Sequence, residues 1–203
     1  FEKYFNNRFL VIYLLPFILG SLTVLSFHPF NFTIINLIIF PLFFYLIFFI
    51  NKKSKSVYRK KPLRKNLFTF GLLFGFGFYL SGISWITNSL TFDENFKFLI
   101  PFALILVPSF IALFYGFVCY LFIFFKPNKT LSSILLFSVI FGFLEFIRGS
   151  ILSGFPWNLI AYSFSNHIQI LSITSLIGTY SFNLFCITLF LSPALFILRN
   201  DKK

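Results

Sequence analysis

Methionine does not occur in this chain, and the first residue is Phe1. A translation product ordinarily opens on methionine, so the sequence reads as a fragment lacking at least its initiator. Acidic residues are almost as scarce: Asp and Glu total 5 in 203 residues, against 17 Lys and Arg. So few carboxylates leave no clustered pair for general acid–base work, no phosphate-cradling loop is present, and no Ser/His/Asp set can be assembled. The two histidines, His28 and His167, stand alone in separate connectors and read as solvated or capping residues. The two cysteines, Cys119 and Cys186, lie inside apolar runs without a CxxC or Cys/His spacing. They read as small buried hydrophobes. These scarcities argue against a metal centre, and no cofactor is indicated.

What the chain has is apolar side chain. It is 58% hydrophobic, with 37 Phe. A soluble domain of this size cannot hide that much oil, so the bilayer is the expected solvent. Six apolar segments stand out, at 10–27, 33–50, 67–88, 98–125, 131–149 and 168–198. Each approaches or exceeds the roughly 20 residues needed to cross about 30 Å of hydrocarbon. The last is long for one span and needs tilt or an interfacial overhang. The runs are continuous rather than alternating, and backbone polarity in lipid then requires helix. The expected fold class is all-α, a polytopic transmembrane bundle of about six spans occupying 1–203. The first run has no small-residue cleavage site after it and reads as a retained span.

The cations are unevenly placed. The N-terminus, the loop 51–66 (NKKSKSVYRKKPLRKN), the 126–130 connector and the C-terminal tail together hold fifteen of the seventeen. The alternate connectors hold only Lys97, offset by Asp93 and Glu94. Lys and Arg accumulate in cytoplasmic loops, so both ends are expected in the cytoplasm. The basic loop is a topology signal that also attracts anionic headgroups. Without a recognisable binding motif it does not indicate nucleic acid. Gly71 and Gly75, with Gly82 near the same face, permit close helix packing within the bundle. Pro101, Pro108 and Pro193 should kink or start helices. No internal repeat suggests an inverted-repeat carrier.

Against this background the segment from Glu145 to Ser165 is unusual. Glu145 and Arg148 are the ionisable residues inside a span, three apart on one helix face, and an intramembrane charge is a functional candidate by default. As a structural pair they would anchor the loop that follows; as a functional pair they would meet headgroup or substrate. Gly149 and Gly154 then allow backbone shapes that other residues resist. Pro156 holds Phe155 extended, and Trp157 and Tyr162 favour a membrane–water interface. Residues 149–165 are therefore expected to form an ordered, non-helical or re-entrant loop at the outer interface. It should be covered by protein, with Trp85, His28 and Pro29 at the same level.

These residues resemble a known family. LEFIRGSILSGFPWNLIAYS is similar to the segment of bacterial apolipoprotein N-acyltransferases that runs Glu-x-x-Arg-Gly, a spacer, Gly-Phe-Pro-Trp and Gly/Ala-Tyr-Ser. Here these are Glu145, Arg148, Gly149, Gly154, Phe155, Pro156, Trp157, Ala161, Tyr162 and Ser163. GSLTVLSFHPFNF, GFGFYLSGISWITNSL and LIGTYSFNLF resemble other stretches of the family in order. The resemblance implies acyl transfer from a phospholipid to the N-terminal diacylglyceryl-cysteine of an apolipoprotein, in the inner membrane of diderm bacteria. It implies a thioester on a cysteine that works with Glu and Lys in a nitrilase-like domain. That domain is not within 1–203. Cys119 and Cys186 do not match the nucleophile, no catalytic residue is carried over, and the chain is expected to be inactive as it stands. The site candidates are Glu145, Arg148, Gly154, Phe155, Pro156, Trp157, Tyr162 and Trp85, and the expected partners are a phospholipid donor, the apolipoprotein acceptor and membrane lipids. The alternatives are a non-enzymatic membrane scaffold and a small-molecule carrier.

Overall fold

A computed structural model describes residues 7–54, 62–125, 129–151, 154 and 156–200. Among them there is helix and no strand. In chain order, a π-helical turn at Leu10–Leu14 leads into α1 (Leu15–Thr23). Then come α2 (Asn36–Ser54), α3 (Leu63–Gly82), α4 (Ile100–Phe125) and α5 (Thr130–Ser150). The remainder is short: a 3₁₀ turn at Ile160–Phe164, then α6 (Ile168–Leu171), α7 (Thr174–Ile177), α8 (Thr179–Leu191) and α9 (Ala194–Asn200).

Three of these stretches are long and apolar enough to cross a membrane: Thr33–Ser54, Glu94–Phe125 and Thr130–Ser150. A fourth is reached when α3 is joined to the 3₁₀ helix Ser84–Thr91, which bends from it by 47°. The expected span 67–88 is thus a helix that breaks at Gly82. The first segment, Leu10–Ser26, is shorter and mixes π, α and 3₁₀ turns. The expected single span 168–198 is four short helices. Gly178 breaks it with φ +82°, a conformation reserved for glycine. Pro193, which has no N–H to donate, separates α8 from α9. Pro101 sits in the first turn of α4, while Pro108 is accommodated inside that helix.

α2 is the central column. Phe43 stacks on Phe70 of α3 at 5.0 Å between ring centres and lies tilted against Phe74 at 4.2 Å. Phe44 meets Phe137 of α5 at 5.2 Å, and Phe40 meets Phe190 of α8 at 6.0 Å. Such aromatic pairs add to the burial of their area. The outside is equally apolar. On α5, Leu131, Leu135, Val139, Phe143 and Phe146 form an exposed stripe opposite the buried Ile134, Phe137 and Phe141. A helix apolar on both its faces is solvated by lipid on one of them. The chain is a membrane protein.

The two ends of the bundle differ. Arg8 donates to Asn66 Oδ1 at 2.8 Å, which sets the start of the N-terminal segment beside the start of α3. Phe44 and Phe48 near the end of α2 pack on Phe122 near the end of α4. The described cations Arg8, Lys52, Lys53, Arg64, Lys65 and Lys129 therefore gather at one end. Residues 55–61, the middle of the basic loop, lie outside the described residues, as do Lys126 and 201–203.

Glycine sets the helix spacing. A Cβ on Gly20 would run into the Phe74 carbonyl oxygen, and one on Gly77 into that of Phe17. α1 and α3 thus meet backbone to backbone, and Ser21 Oγ donates to Gly77 O at 3.3 Å. Gly71 and Gly75 admit Tyr115 of α4. Gly82 does not share that role: it faces Asn158. The small-residue packing is intramolecular, as lipid solvation favours. Gly20→Ala should lower the thermal midpoint of the detergent-solubilised chain. The steric cost of about 1–3 kcal/mol outweighs the roughly 1 kcal/mol of helix propensity gained. Gly142→Ala, whose nearest neighbour is the Leu184 side chain at 3.1 Å rather than backbone, should lower the midpoint far less. Equal midpoints for the two variants would contradict this packing.

Candidate functional site

The end of the bundle opposite the cations is organised by α5. Its last two turns bury both Glu145 and Arg148, at 2% and 3% exposure. The three-residue spacing sets the two side chains on one face, and Arg148 Nη2 donates to Glu145 Oε2. The guanidinium lies over the Tyr79 ring of α3, 5.3 Å from its centre. Tyr79 in turn meets Tyr115 of α4 edge to face at 5.5 Å, and both tyrosines are fully buried. An ion pair taken out of water pays several kcal/mol per ion in lost solvation and holds only with good geometry and further partners. The Tyr79 face and the loop backbone provide those partners.

Arg148 also reaches the loop. Nη1 donates to the Trp157 carbonyl oxygen at 3.1 Å. The chain can return to it because of two glycines. Gly149, still in α5, leaves room for the Tyr180 hydroxyl of α8. Gly154 takes φ +70° and packs on the Gly149 carbonyl, where a Cβ would collide. Asn158, at φ +56°, completes the reversal, as asparagine tolerates this region better than most residues. Its side chain fills the space above Gly82.

The downstream half of the loop is fixed by two further bonds. Asn183 of α8 accepts the Ala161 N–H at 3.0 Å, and Thr33, just before α2, donates to the Ser163 carbonyl at 2.6 Å. Leu159, Ile160 and Ala161 have no exposure. The expected cover of protein holds for Leu159–Ala161 and Ser163, whereas Ile151, Pro156 and Trp157 are exposed. The expectation of a non-helical loop over 149–165 holds for 154 and 156–159; Gly149 and Ser150 still belong to α5, and Ile160–Phe164 winds into a 3₁₀ turn.

Trp157 lies across Trp85 with ring centres 5.7 Å apart at 76°. Each indole is about half exposed, 50% for Trp85 and 52% for Trp157. Pro156 is exposed, and Gly154 and Tyr162 are half-buried. Burial and the nearby Tyr180 raise the Tyr162 phenol above its ordinary range. Phe155 lies outside the described residues. His28 and His167 are both exposed.

The structure thus brings Glu145, Arg148, Gly154, Trp157 and Trp85 into one assembly. Sequence reasoning missed Tyr79, Tyr115, Asn183, Thr33 and Asn158. Asn183 had a detectable signal, an amide inside the apolar run TYSFNLF. Tyr79 and Tyr115 had little, since tyrosine among so many aromatics reads as core.

Residues 19–191 match the family model described as the apolipoprotein N-acyltransferase N-terminal domain. The chain belongs to the apolipoprotein N-acyltransferase family. It is similar to the apolipoprotein N-acyltransferase of Brucella melitensis biotype 1, 31% identical over 90% of this chain and 34% of that protein. The Rickettsia typhi protein is 39% identical over 80% of this chain and 31% of its own length, and the Rickettsia prowazekii protein 38% over 70% and 29%. The chain therefore spans about a third of the length of the curated relatives it matches. The matched region contains the ion pair, the loop and both tryptophans of this apolipoprotein N-acyltransferase family member.

Arg148→Met and Glu145→Leu should each destabilise the chain by about 3–5 kcal/mol, because each strands its partner. The double variant Glu145→Leu/Arg148→Met should be less destabilised than either. It still leaves the Trp157 carbonyl without its donor, at about 1–3 kcal/mol. Thermal midpoints of the four proteins in one detergent test this; strictly additive losses would mean that the two residues do not act as a buried pair.

Proposed function

We propose that this chain is the membrane-embedded part of an apolipoprotein N-acyltransferase of the bacterial inner membrane. Its six apolar segments cross that membrane, with the basic end of the bundle and both termini on the cytoplasmic side. The assembly of loop and indoles lies at the outer face. The acyl chain comes from a phospholipid and is delivered to the N-terminal amine of a diacylglyceryl-cysteine lipoprotein, by way of a thioester. The observation that carries this reading is the buried Glu145–Arg148 pair holding Trp157, so that Trp157 and Trp85 present a half-exposed aromatic pair at one end of the bundle.

Nucleophilic catalysis needs an activated, accessible thiol. Cys119 and Cys186 are both fully buried inside helices, so neither is suited to carry an acyl group. The thiol, with its Glu and Lys, belongs to a nitrilase-like domain outside 1–203, and this part supplies no catalytic residue. Its role is to support that domain at the interface and to guide a chain leaving the bilayer. Gly154, Pro156 and Tyr162 shape the support, and the indoles form its lipid-facing edge. A carrier would need ionisable groups free to bind cargo, whereas Glu145 and Arg148 are committed to each other.

The test is a chimera in which residues 19–191 replace the corresponding segment of the Rickettsia typhi relative. The measurement is transfer of a labelled acyl chain from phospholipid to a diacylglyceryl-cysteine peptide. Trp157→Ala should reduce transfer at least tenfold at unchanged expression, while Cys119→Ala/Cys186→Ala should retain it. Full transfer by the tryptophan variant, or loss in the cysteine variant, would overturn the assignment.

A further inference from the structure

At the opposite, basic end a cavity of 250 Å³ opens between α3 and α4, lined by Arg64, Lys65, Phe68, Thr69, Phe117 and Tyr120. We infer that it binds the headgroup phosphate of an anionic phospholipid from the adjoining leaflet. Three independent features converge on that ligand.

The first is an electrostatic conflict. Arg64 and Lys65 occupy the first turn of α3, where the helix dipole is already positive and cations are unfavourable. That turn has no acidic residue and no side-chain cap to offset the dipole. The described carboxylates cannot relieve the conflict. Asp93 and Glu94 precede α4, at the far end of that 26-residue helix from Phe117 and Tyr120, and Glu145 is held by Arg148.

The second is placement. Arg64 is not adrift in solvent: its guanidinium lies 4.3 Å from the centre of the Phe124 ring on α4. A cation–π contact leaves the N–H edge of a guanidinium free to take phosphate oxygens. The third is the wall. Phe68 and Phe117 meet edge to face at 5.3 Å, and Phe117 is 45% exposed. Below the cations the cavity is therefore continuous with the aromatic outer surface of the bundle. A small soluble anion has no use for that surface, whereas the glycerol and upper acyl chain of a phospholipid do. Its volume suits a headgroup rather than a whole lipid, whose tails would run along α4. Basic pockets between transmembrane helices hold anionic headgroups in this manner.

The test uses the full chain in detergent, titrated with phosphatidylglycerol or with phosphatidylcholine of the same acyl chains. Bound lipid is read by native mass spectrometry and by the shift in thermal midpoint. Phosphatidylglycerol should give a one-to-one adduct and raise the midpoint; phosphatidylcholine and inorganic phosphate should do neither. Arg64→Gln/Lys65→Gln should weaken binding at least tenfold. Thr69→Trp, which fills the cavity and keeps both charges, should do the same. Lys52→Gln/Lys53→Gln, which removes equal charge outside the cavity, should bind as the parent does. Unchanged binding in the first two variants, or equal loss in the third, would overturn the site. So would a midpoint shift with inorganic phosphate alone.

Discussion

A guanidinium buried in a membrane bundle is the constraint on which the rest of this structure depends. Arg148 cannot lose its proton, and its charge cannot be left unpaired away from water. Glu145 supplies the opposite charge from the preceding turn, Tyr79 supplies a ring face, and the Trp157 carbonyl supplies an acceptor from the loop. The third of these forces the chain to leave α5, reverse within nine residues and come back over the helix end. Gly149, Gly154 and Asn158 are the residues that make so tight a return possible.

The loop in turn ties together segments remote in sequence. Asn158 needs the bare backbone at Gly82, Ala161 needs Asn183, and Ser163 needs Thr33. α2, α3, α5 and α8 are thereby registered at one end by polar contacts. Along their length the Phe40, Phe43, Phe44 and Phe74 contacts register them by shape. Aromatic packing alone is tolerant of sliding, whereas a buried hydrogen bond has one partner. The polar end specifies the arrangement, and the apolar column supplies its bulk.

Much of this was legible in the residues. Continuous apolar runs fix helix, the spacing of Glu145 and Arg148 sets them on one face, and the Gly, Pro and Trp cluster marks an irregular interface segment. The breaks were not legible. The run 168–198 stays apolar through Gly178 and Ser192, so hydropathy does not register that the helix stops there. Gly82 looked like a member of the Gly71–Gly75 face because spacing describes one helix, while its partner, Asn158, comes from 76 residues later in the chain. Tyr79 and Tyr115 were hidden for a similar reason: whether a tyrosine is packing or a partner to a charge depends on what the fold brings beside it.

The chain contains two tryptophans, and both belong to the edge-to-face pair, so its indole signal reports on this site alone. The most direct measurement is near-ultraviolet circular dichroism of Arg148→Met in the indole region, with far-ultraviolet helicity taken on the same sample. If Arg148 holds the loop, the indole bands collapse toward those of Trp85→Phe while helicity persists. Indole bands identical to the parent's in a folded Arg148→Met protein would show that the loop stands without the buried cation, and would contradict the account.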